Sequence, residues 1–583
     1  MKIWQTKPSD ENFARRLADD LHLPALLARV LGGYGFSNVG EVARFLAPQL
    51  REVSDPFLIP GMEAASARIW RAVENKESIL VYGDYDVDGI AGAALLAQVL
   101  RRLGAGALTV CLPDRLEEGY GLSPAALQRG FKRGKPDLII TVDCGITAAE
   151  PAEFIRAAGI ELVITDHHEP GNVMPAAAAI VNPKLGGPEH LKMLAGVGVV
   201  FKLCHAMLKH GKKNKLPAAE IDLREHLDLV ALGTVADIVP LLNENRIFVR
   251  RGLEQLNASN APGWRALKEV AALKNRLDAY HLAFCIAPRL NAAGRLDTAE
   301  TALELFLTGD ENRARAIARS LDEANRARQK IEAEILEAAT AEIDGYFKPD
   351  VHYGLAVGRR GWHVGVIGIV ASRLSKRYHR PVVAIGFDEH GSGRGSGRSI
   401  AAYNILDGLN ACRGLLKACG GHAMAAGLEI EEKNYQKFRE DFNRAAEKTL
   451  KHKDLRPIQT INAWIKLNDI SNENFKALEL LAPFGQDNPR PVFAARGVKI
   501  AGKPRIVGRK HLRFNISDGR STAGAIAFNR AEGAAETAAR NITESLLDVA
   551  FQIRKNSFNG SENLELNVLD WRRTPPDGDP GLI

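Results

Sequence analysis

Five short, nearly continuous apolar runs between Ser78 and Val181 constrain the fold of this chain more than any other feature. The runs begin at Ile79, Leu108, Leu138, Leu162 and Ala179, and stretches with helical character separate them. Strands that are apolar on both faces are typical of a parallel sheet covered by helices on both sides. The pattern therefore predicts a doubly wound α/β domain, whose functional residues lie beyond the carboxyl ends of the strands.

Carboxylates follow the first of these runs at alternate positions. Asp84, Asp86 and Asp88 come directly after the run, and Gly89 allows a tight turn into a helix that is predicted to start near Ile90. A solvated acidic turn is the alternative interpretation. Three carboxylates on alternate residues can direct several oxygens at one location, as calcium-binding loops do. We therefore predict that all three are metal ligands.

Two later runs end in the same kind of side chain. Asp143 follows the third run, and Asp166, His167 and His168 follow the fourth. A single aspartate at a strand end often serves only as a helix cap, whereas two adjacent histidines after an aspartate are difficult to explain by core packing. Because the carboxyl ends of parallel strands meet at one edge of a sheet, we expect these residues to join the acidic cluster.

Asp228 and Asp237 interrupt a further segment that is otherwise apolar and helical in character. Burying these carboxylates without partners would be costly, so we predict that they also bind metal. The complete set of predicted ligands offers oxygen and nitrogen but no thiolate, which suits Mn²⁺, tolerates Mg²⁺ and argues against a structural zinc site. Two divalent cations bound here would hold a phosphate and activate water, so the expected reaction is hydrolysis of a phosphoester.

The rest of the chain changes pattern twice. Residues 310–343 have apolar residues at helical spacing and no glycine or proline, which predicts one long helix joining two lobes. A second α/β pattern begins beyond Gly345, and short alternating runs after Arg456 predict a small antiparallel barrel. The predicted organisation is an N-terminal helical extension (1–50), a catalytic domain (51–308), a connecting helix (309–345), a substrate-binding domain (346–455) and an OB-like domain (456–583).

The overall composition bounds the partners and the compartment. The 583 residues carry a formal net charge of +7, which favours polyanions such as nucleic acid without resembling a basic tail. The six cysteines are scattered and lack zinc-ligand spacing, as expected for thiols in a reducing compartment. The sequence shows no apolar signal segment and no run of eighteen apolar residues. We therefore expect a cytoplasmic protein with no membrane partner.

Several segments together resemble motifs of a known superfamily. Residues 84–89, 142–145 and 166–168 are similar to the first three motifs of the DHH phosphoesterases, and residues 420–427 resemble the signature of their companion C-terminal domain. Further stretches resemble the bacterial RecJ family of exonucleases, namely residues 113–121, 288–295, 362–370 and 481–489. The resemblance implies hydrolysis of single-stranded DNA from its 5′ end, a preference for manganese, and work in DNA recombination and repair.

The resemblance also indicates roles for individual residues. The residues expected to act in catalysis are Asp84, Asp166, His168 and His422. The expected substrate contacts in the two lobes are Arg115, Tyr120, Arg289, Asn291, Arg295, His363, Ser396 and Arg398. Four of them would bind the terminal phosphate and the nearby backbone, namely Arg115, Arg289, Ser396 and Arg398. The glycine-rich stretch 391–399 is interpreted as a flexible loop whose backbone amides approach phosphate.

The predicted barrel is strongly basic between residues 498 and 520, where Asp518 is the one acidic residue. Lys510, Arg513 and Phe514 lie in this stretch, and alternating basic and aromatic side chains suit backbone contact with base stacking. A solvated charged face is the alternative. We expect these three residues to bind single-stranded DNA. Further expected partners are a single-strand-binding protein and a helicase, and we expect the protein to be a monomer.

Two competing functions remain open on the sequence. The first is a DHH phosphodiesterase that acts on short oligoribonucleotides or cyclic dinucleotides, and the basic barrel argues against it because a small substrate needs no strand platform. The second is a noncatalytic single-strand-binding replication factor. The full set of aspartates and histidines argues against that alternative, because a binding factor does not need metal ligands.

Overall fold

The computed structural model describes residues 2–114, 118, 121–132, 134–216, 221–296, 298–508, 510–530, 545–558 and 561–575. Arg115 and Tyr120, two of the predicted substrate contacts, lie outside the described residues. The chain divides into one unit spanning Leu50–Leu455 and another that combines Met1–Gln49 with Arg456–Ile583. Among the helices described, none is both long enough and apolar enough to cross a membrane.

The regular elements alternate along the first unit and become mostly strands near the carboxyl end. The strands are β1 Ile3–Thr6, β2 Ile79–Gly83, β3 Leu108–Cys111, β4 Leu138–Val142, β5 Glu161–Thr165, β6 Ala179–Val181, β7 Leu355–Arg360, β8 Val382–Phe387, β9 Ser392–Arg398, β10 Leu416–His422, β11 Ala425–Glu431, β12 Ile458–Ile461, β13 Ala463–Trp464, β14 Phe493–Val507, β15 His511–Ser517, β16 Thr522–Ala527, β17 Leu547–Phe558 and β18 Ser561–Arg573. The α-helices are α1 Glu11–Asp20, α2 Ala25–Gly32, α3 Val39–Leu46, α4 Met62–Glu74, α5 Val87–Arg102, α6 Pro124–Phe131, α7 Ala149–Ala157, α8 Gly196–Lys213, α9 Leu227–Ala236, α10 Asn243–Ala258, α11 Pro262–Val270, α12 Ala279–His281, α13 Ala287–Leu296, α14 Glu300–Leu307, α15 Glu311–Tyr346, α16 Val364–Tyr378, α17 Ile405–Ala411, α18 Tyr435–Thr449 and α19 Asn472–Leu478.

All five apolar runs of the sequence form strands of one parallel sheet. The sheet order is β3-β2-β4-β5-β6, which confirms the predicted doubly wound arrangement. Strand β2 lies between β3 and β4, so the direction of winding reverses beside it. Ligand sites of such sheets lie outside the carboxyl ends of the strands at this reversal. The fold thus places the ends of β2 and β4 where a site is expected.

The helix after β2 begins earlier than the sequence indicated. The side chain of Asp86 caps α5 by accepting hydrogen bonds from the backbone N–H groups of Asp88 (2.9 Å) and Gly89 (3.1 Å), so the helix starts at Val87 rather than near Ile90. An aspartate at this position satisfies amide groups that would otherwise have no partner. Asp88 therefore lies in the first turn of the helix, which fixes its direction relative to the sheet.

Helix α15 joins two hydrophobic cores, as the long apolar periodicity predicted. Its first half contributes Ile317 and Leu321 to the core of the parallel-sheet lobe. Its second half contributes Ile335 and Ala339 to the core of a second lobe, in which α16 packs on β7 and β8. The helix begins after Asp310, whose side chain accepts hydrogen bonds from the N–H groups of Asn312 and Arg313.

The second lobe contains a sheet of order β10-β11-β9-β8-β7. Its strand β9 corrects our interpretation of residues 391–399 as a flexible loop, because β9 pairs with both β8 and β11. Glycine at alternate positions makes this strand possible. A Cβ atom at Gly393, Gly395 or Gly397 would lie between 2.5 and 2.9 Å from a bulky side chain of the core. The polar residues at the intervening positions consequently share the opposite face of the strand.

The second unit contains a closed barrel of β14, β15, β16, β18 and β17, in which β14 also pairs with β17. This barrel confirms the predicted OB-like fold. The amino-terminal segment belongs to the same unit and is not wholly helical, because β1 pairs with β12 in parallel. The amino-terminal segment therefore contains one strand as well as helices, which corrects the prediction of a helical extension.

Candidate active site

Acidic and histidine side chains from several strand ends converge beyond the parallel sheet. Asp84 follows β2, Asp143 follows β4, and both side chains are almost completely buried, with 1% and 2% of their surface exposed. Ligand atoms within 4.8 Å of one another form three overlapping groups, which are Asp84 with Asp86 and Asp143, Asp143 with His167 and His168, and Asp88 with His167 and Asp237. Because Asp143 and His167 each belong to two of these groups, the three groups form one continuous cluster.

Two backbone conformations at the cluster are unusual for the residues that adopt them. Asp143 has φ of 63° and Ile238, directly after Asp237, has φ of 62°. The left-handed region is disfavoured for residues other than glycine, most of all for a β-branched residue such as isoleucine. Conformations of this kind persist where the surrounding structure imposes them, and they concentrate at functional sites. Near both positions lies His167, whose Nε2 atom is 3.2 Å from Asp143 Oδ1 and 3.6 Å from Asp237 Oδ2.

The structure separates the two aspartates of helix α9. Asp237 caps the carboxyl end of the helix and belongs to the cluster. Asp228 lies in the first turn, where its Oδ2 atom accepts a hydrogen bond from Trp264 Nε1 (2.7 Å) and its Oδ1 atom accepts one from the Leu229 N–H (2.8 Å). Nine residues of helix correspond to about 13 Å along the axis. The prediction of Asp228 as a metal ligand is therefore corrected: its burial is offset by a tryptophan and not by a cation.

Asp88 reaches the cluster with both carboxylate oxygens already engaged. Its Oδ2 atom accepts from the Gly196 N–H (2.6 Å) and its Oδ1 atom from the Val197 N–H (2.9 Å), at the amino end of α8. A helix amino terminus stabilises negative charge. These bonds fix the carboxylate in one orientation within the cluster.

Asp166 has an orienting role for the histidine that follows it. Its Oδ1 atom lies 2.8 Å from His168 Nδ1 and accepts a bond from the His168 N–H, and its Oδ2 atom accepts from the Ile146 N–H (3.0 Å). Burial acts to raise the pKa of Asp166, but the bond with His168 and the backbone amides hold that pKa below its usual value. The same contact raises the pKa of His168 against the effect of burial. A carboxylate behind an imidazole fixes the ring and its tautomer.

The remaining carboxylates are crowded and their pKa values are displaced upward. Burial, reinforced by neighbouring carboxylates, raises the pKa of Asp88 to about 7 and that of Asp237 to about 9. The same causes raise the pKa of Asp143 above its usual range. Burial and the adjacent His168 lower the pKa of His167 to about 3, so its ring is neutral and has a lone pair to donate. Buried acids and a neutral imidazole in this arrangement fit divalent cations with oxygen and nitrogen ligands.

Two glycines complete the cluster and were missed in the sequence. A Cβ atom at Gly196 would lie 2.5 Å from Asp143 Oδ1, and one at Gly233 would lie 2.6 Å from Asp88 Oδ1. Gly233 lies inside α9, where glycine costs about 1 kcal/mol relative to alanine, and Gly196 is the first residue of α8. The one signal available was glycine within apolar helical segments, which does not by itself distinguish a metal cradle from close helix packing.

The carboxyl end of α13 brings predicted substrate residues to the junction of the two lobes. Arg295 donates a hydrogen bond from Nη1 to the Gly365 carbonyl oxygen (2.7 Å). His363 caps α16 and accepts from the Gly365 N–H (3.1 Å). Asn291 lies partly exposed on the same helix as Arg295. Arg289 differs from the prediction, because its guanidinium binds Asp322 Oδ1 (2.9 Å) and the Cys285 carbonyl, so an ion pair already occupies part of its fork.

Strand β9 supplies the polar face of the second lobe. Arg398 donates from Nη1 to Ser396 Oγ (2.9 Å), and both side chains face Gly368 of α16, where a Cβ atom would lie 3.1 Å from Ser396 Oγ and 3.2 Å from Arg398 Nη2. The structure therefore brings this predicted pair together. His422 is exposed at the end of β10. It is not part of the metal-ligand groups among the described residues.

In the barrel, Phe514 does not fit its predicted role of stacking on a base, whereas Phe528 is an exposed aromatic residue. Phe514 is 7% exposed and packs inside the barrel, so it cannot stack on a base in this arrangement. Lys510 is exposed, whereas Arg513 pairs with Glu565 at 3.0 Å. Phe528 is 38% exposed, with the Arg554 guanidinium 4.9 Å from its ring centroid. Sequence reasoning missed Phe528, since strand periodicity alone does not show which aromatic residue faces inward.

Comparison with known families matches three domains in the order that the fold shows. The DHH family N-terminal domain matches residues 78–234, the DHHA1 domain matches residues 350–448, and the RecJ OB domain matches residues 461–570. A crystal structure of RecJ in complex with Mn²⁺ from Thermus thermophilus superposes with a TM-score of 0.81 at 29% identity, covering 98% of this chain and 79% of that chain.

Relatives that carry the name single-stranded-DNA-specific exonuclease RecJ align over most of their length. The relative from Dickeya dadantii is 36% identical, over 94% of this chain and 96% of its own. The one from Escherichia coli is 35% identical, over 94% and 95%. The one from Bacillus subtilis is 34% identical, over 97% of this chain and 70% of its own. Identity at this level over nearly the whole chain shows that the protein belongs to the RecJ family of the DHH superfamily.

Proposed function

We propose that this protein is a single-stranded-DNA-specific exonuclease that hydrolyses phosphodiester bonds from the 5′ end and acts in DNA recombination and repair. The observation that carries the proposal is the cluster of buried carboxylates and histidines at neighbouring strand ends. It occurs in a chain whose relatives are named for this activity. Its fold also supplies a barrel of the type that binds single strands.

Two divalent cations would occupy the cluster, with manganese preferred and magnesium tolerated. Asp84, Asp86 and Asp143 would hold one cation, and Asp88, His167 and Asp237 would hold the other, with Asp143 next to it because Asp143 also shares a group with His167 and His168. When bound, the two cations supply positive charge at the phosphate and lower the pKa of an attacking water molecule. The proposal of manganese is supported by a RecJ structure from Thermus thermophilus described as a complex with Mn²⁺, and that of magnesium by another described as a complex with Mg²⁺.

The protein's own residues would position the reacting groups. Asp166 fixes the ring of His168 at the edge of the cluster, where the ring can hold a proton or donate it toward a phosphate oxygen. The amino end of α8 holds the Asp88 carboxylate in one orientation through the N–H groups of Gly196 and Val197. Loss of Asp166 should therefore disturb the direction of His168 more than it disturbs cation binding.

The terminal phosphate would bind on the second lobe. Ser396 and Arg398 present a hydroxyl and a guanidinium side by side, and such groups form charge-assisted hydrogen bonds with phosphate oxygens. His363, Arg295 and Asn291 lie on the elements that meet at the junction of the lobes and would contact the following backbone. Removal of one phosphate-binding guanidinium should cost about 1.5 to 3 kcal/mol of binding, mainly on 5′-phosphorylated ends.

The polarity is tested with strands blocked at one end by a bulky group. A 5′ block should prevent degradation of an end-labelled single strand, whereas a 3′ block should not, and duplex of the same sequence should remain intact. Asp143→Ala is the matched inactive variant, with its fold checked by circular dichroism. Degradation that proceeds past a 5′ block but stops at a 3′ block would reverse the proposed polarity. Full activity of Asp143→Ala would refute the proposed metal centre.

The expected molecular partners remain predictions. Single-stranded DNA follows from the proposed activity and from the OB domain. A single-strand-binding protein, a helicase, a monomeric state and a cytoplasmic location are the further expectations from the sequence. Pull-down with each candidate partner and sedimentation of the full chain would test the first three.

A further inference from the structure

Two neighbouring aromatic side chains project into solvent from the parallel-sheet lobe. Tyr280 is 62% exposed and Phe284 is 67% exposed, which makes them the two most exposed aromatic residues that the structure describes. Their ring centroids lie 4.8 Å apart with an interplanar angle of 36°. Exposing two adjacent aromatic rings forgoes a substantial burial energy, so a pair of this kind indicates a binding surface.

The pair belongs to a helical segment that contains a π turn. Residues 279–296 run without interruption through α12, a π turn at Leu282–Ile286, and α13. Tyr280, Phe284 and Pro288 recur every four residues, and Arg295 follows seven residues later. Residues at these spacings lie on one face of a helix. Single π turns within α-helices are frequent at functional sites, and Phe284 lies within this one.

The other end of the same segment contacts the metal-binding loop and the second lobe. A Cβ atom at Gly294 would lie 3.4 Å from the carbonyl oxygen of Tyr85, which lies between Asp84 and Asp86. Arg295 contacts Gly365 of α16. Ten residues separate Gly294 from Phe284, or about 15 Å at 1.5 Å per residue. That distance corresponds to about four stacked nucleotides at 3.4 Å each.

The segment that precedes the pair carries cationic groups. Lys274 and Arg276 are exposed a few residues before Tyr280. The nearby acid, Asp278, is paired with His281, with 2.6 Å between its Oδ1 atom and His281 Nδ1. Exposed aromatic rings beside solvent-exposed cations suit the stacked bases and the phosphates of an unpaired strand. They suit an apolar protein surface less well, because burial of the cations would be costly.

We propose that Tyr280 and Phe284 form a stacking platform for bases of the single strand, about four nucleotides from the bond that is cleaved. The platform rests on the proposed function. It would hold the strand in line with the cluster by stacking on the flat aromatic faces of the bases. Every base has such a face, so the platform would add affinity without sequence preference. Loss of the platform should weaken use of long strands by roughly five- to a hundredfold, because stacking on an aromatic ring contributes on that scale per base.

The test compares Phe284→Leu with Phe284→Trp in the full chain with Mn²⁺. Phe284→Leu should lower kcat/KM for a 5′-phosphorylated strand of about twenty nucleotides, mainly through KM, while Phe284→Trp should restore it. A trinucleotide is too short to reach the platform, so the loss should be confined to the long strand. Phe57→Leu is the matched control, since Phe57 is 38% exposed elsewhere in the same lobe.

Abasic sites locate the contact. One base is removed from the strand at each successive position in turn. For the wild type, kcat/KM should fall when the missing base is at one or two positions near the fourth nucleotide. At those same positions the missing base should not lower kcat/KM of Phe284→Leu any further, because both changes remove the same interaction. Equal loss on the trinucleotide, or loss that no abasic site reproduces, would overturn the platform and indicate a structural effect or a protein partner. Quenching of 2-aminopurine placed at the same positions reports stacking without hydrolysis, so it tests the platform even if the wild type cleaves no strand.

Discussion

Gly196 approaches the Asp143 carboxylate so closely that a Cβ atom at position 196 would lie 2.5 Å from Asp143 Oδ1. Asp143 is shared by two of the ligand groups, so its displacement would disturb both proposed cation sites. We expect Gly196→Ala to lower Mn²⁺ affinity by roughly 10- to 100-fold, the scale on which changes around metal ligands act. Calorimetric titration of the full chain with Mn²⁺ measures this effect.

The control for that variant lies on the same helix. Gly198→Ala adds the same methyl group, which would meet the flexible Leu194 side chain at 3.3 Å and no carboxylate. Its Mn²⁺ affinity should match that of the wild type. Equal affinity of Gly196→Ala and the wild type would show that the carboxylate can move without loss of the site.

The two aspartates of α9 should differ in what they support. Asp237→Asn removes a charged ligand from the cluster and should lower Mn²⁺ affinity by at least about tenfold. Asp228→Asn keeps an oxygen that can accept the Trp264 hydrogen bond, so its Mn²⁺ affinity should be unchanged. Thermal unfolding of both variants verifies that each is folded. A lower Mn²⁺ affinity of folded Asp228→Asn would show that Asp228 does contribute to the metal site.

Cation binding should depend on pH in a defined direction. The pKa of Asp88 is raised to about 7 and that of Asp237 to about 9, so at neutral pH the cation-free protein retains protons that a bound cation must displace. Without cations, the folded state binds more protons than the unfolded state between about pH 4 and 9, and these groups lower stability as pH rises. The gain in Tm on adding Mn²⁺ should therefore grow from about pH 6 to 9. A gain that is constant over this range would contradict the prediction.

Substitutions at Phe514 and Lys510 should affect two different properties of the barrel, its stability and its binding of a single strand. Phe514→Ala creates a cavity in a packed interior and should lower the free energy of unfolding of the second unit by about 3 to 5 kcal/mol. Lys510→Ala should leave unfolding unchanged and reduce the slope of log affinity against log salt by about 0.7 for a single strand. Urea unfolding and salt titration of DNA binding measure the two effects. An unchanged slope would remove Lys510 from the interface.

The parallel sheet and most of its ligands could be predicted because they depend on local patterns. Apolar runs define strands, and parallel strands must share an edge, so Asp84, Asp143 and His167 were expected to meet. Asp237 and Asp228 could not be distinguished in this way. Both interrupt the same apolar helix, and the difference between them depends on Trp264, which is distant in sequence and contacts one of the two.

The errors have a common cause in side-chain direction and tertiary contact. The stretch 391–399 looked like a loop because glycine usually weakens strands, yet here bulky core residues require the missing side chains at alternate positions. Phe514 was placed on the surface because its neighbours are basic, although strand alternation directs it inward. Gly196 and Gly233 gave one ambiguous local signal, glycine within an apolar helical segment, since the atoms that exclude a side chain belong to other segments.

Helix α15 links two hydrophobic cores through one continuous backbone, with Ile317 and Leu321 in the first and Ile335 and Ala339 in the second. Adding one residue between these pairs would rotate the later pair by about 100° and displace it by about 1.5 Å, so the two cores could no longer both be filled. Only insertions near whole multiples of the helical repeat, such as seven residues, would nearly restore the angle. Across evolution this segment should therefore be free to drift in sequence on its solvent side and yet be held to a nearly fixed length.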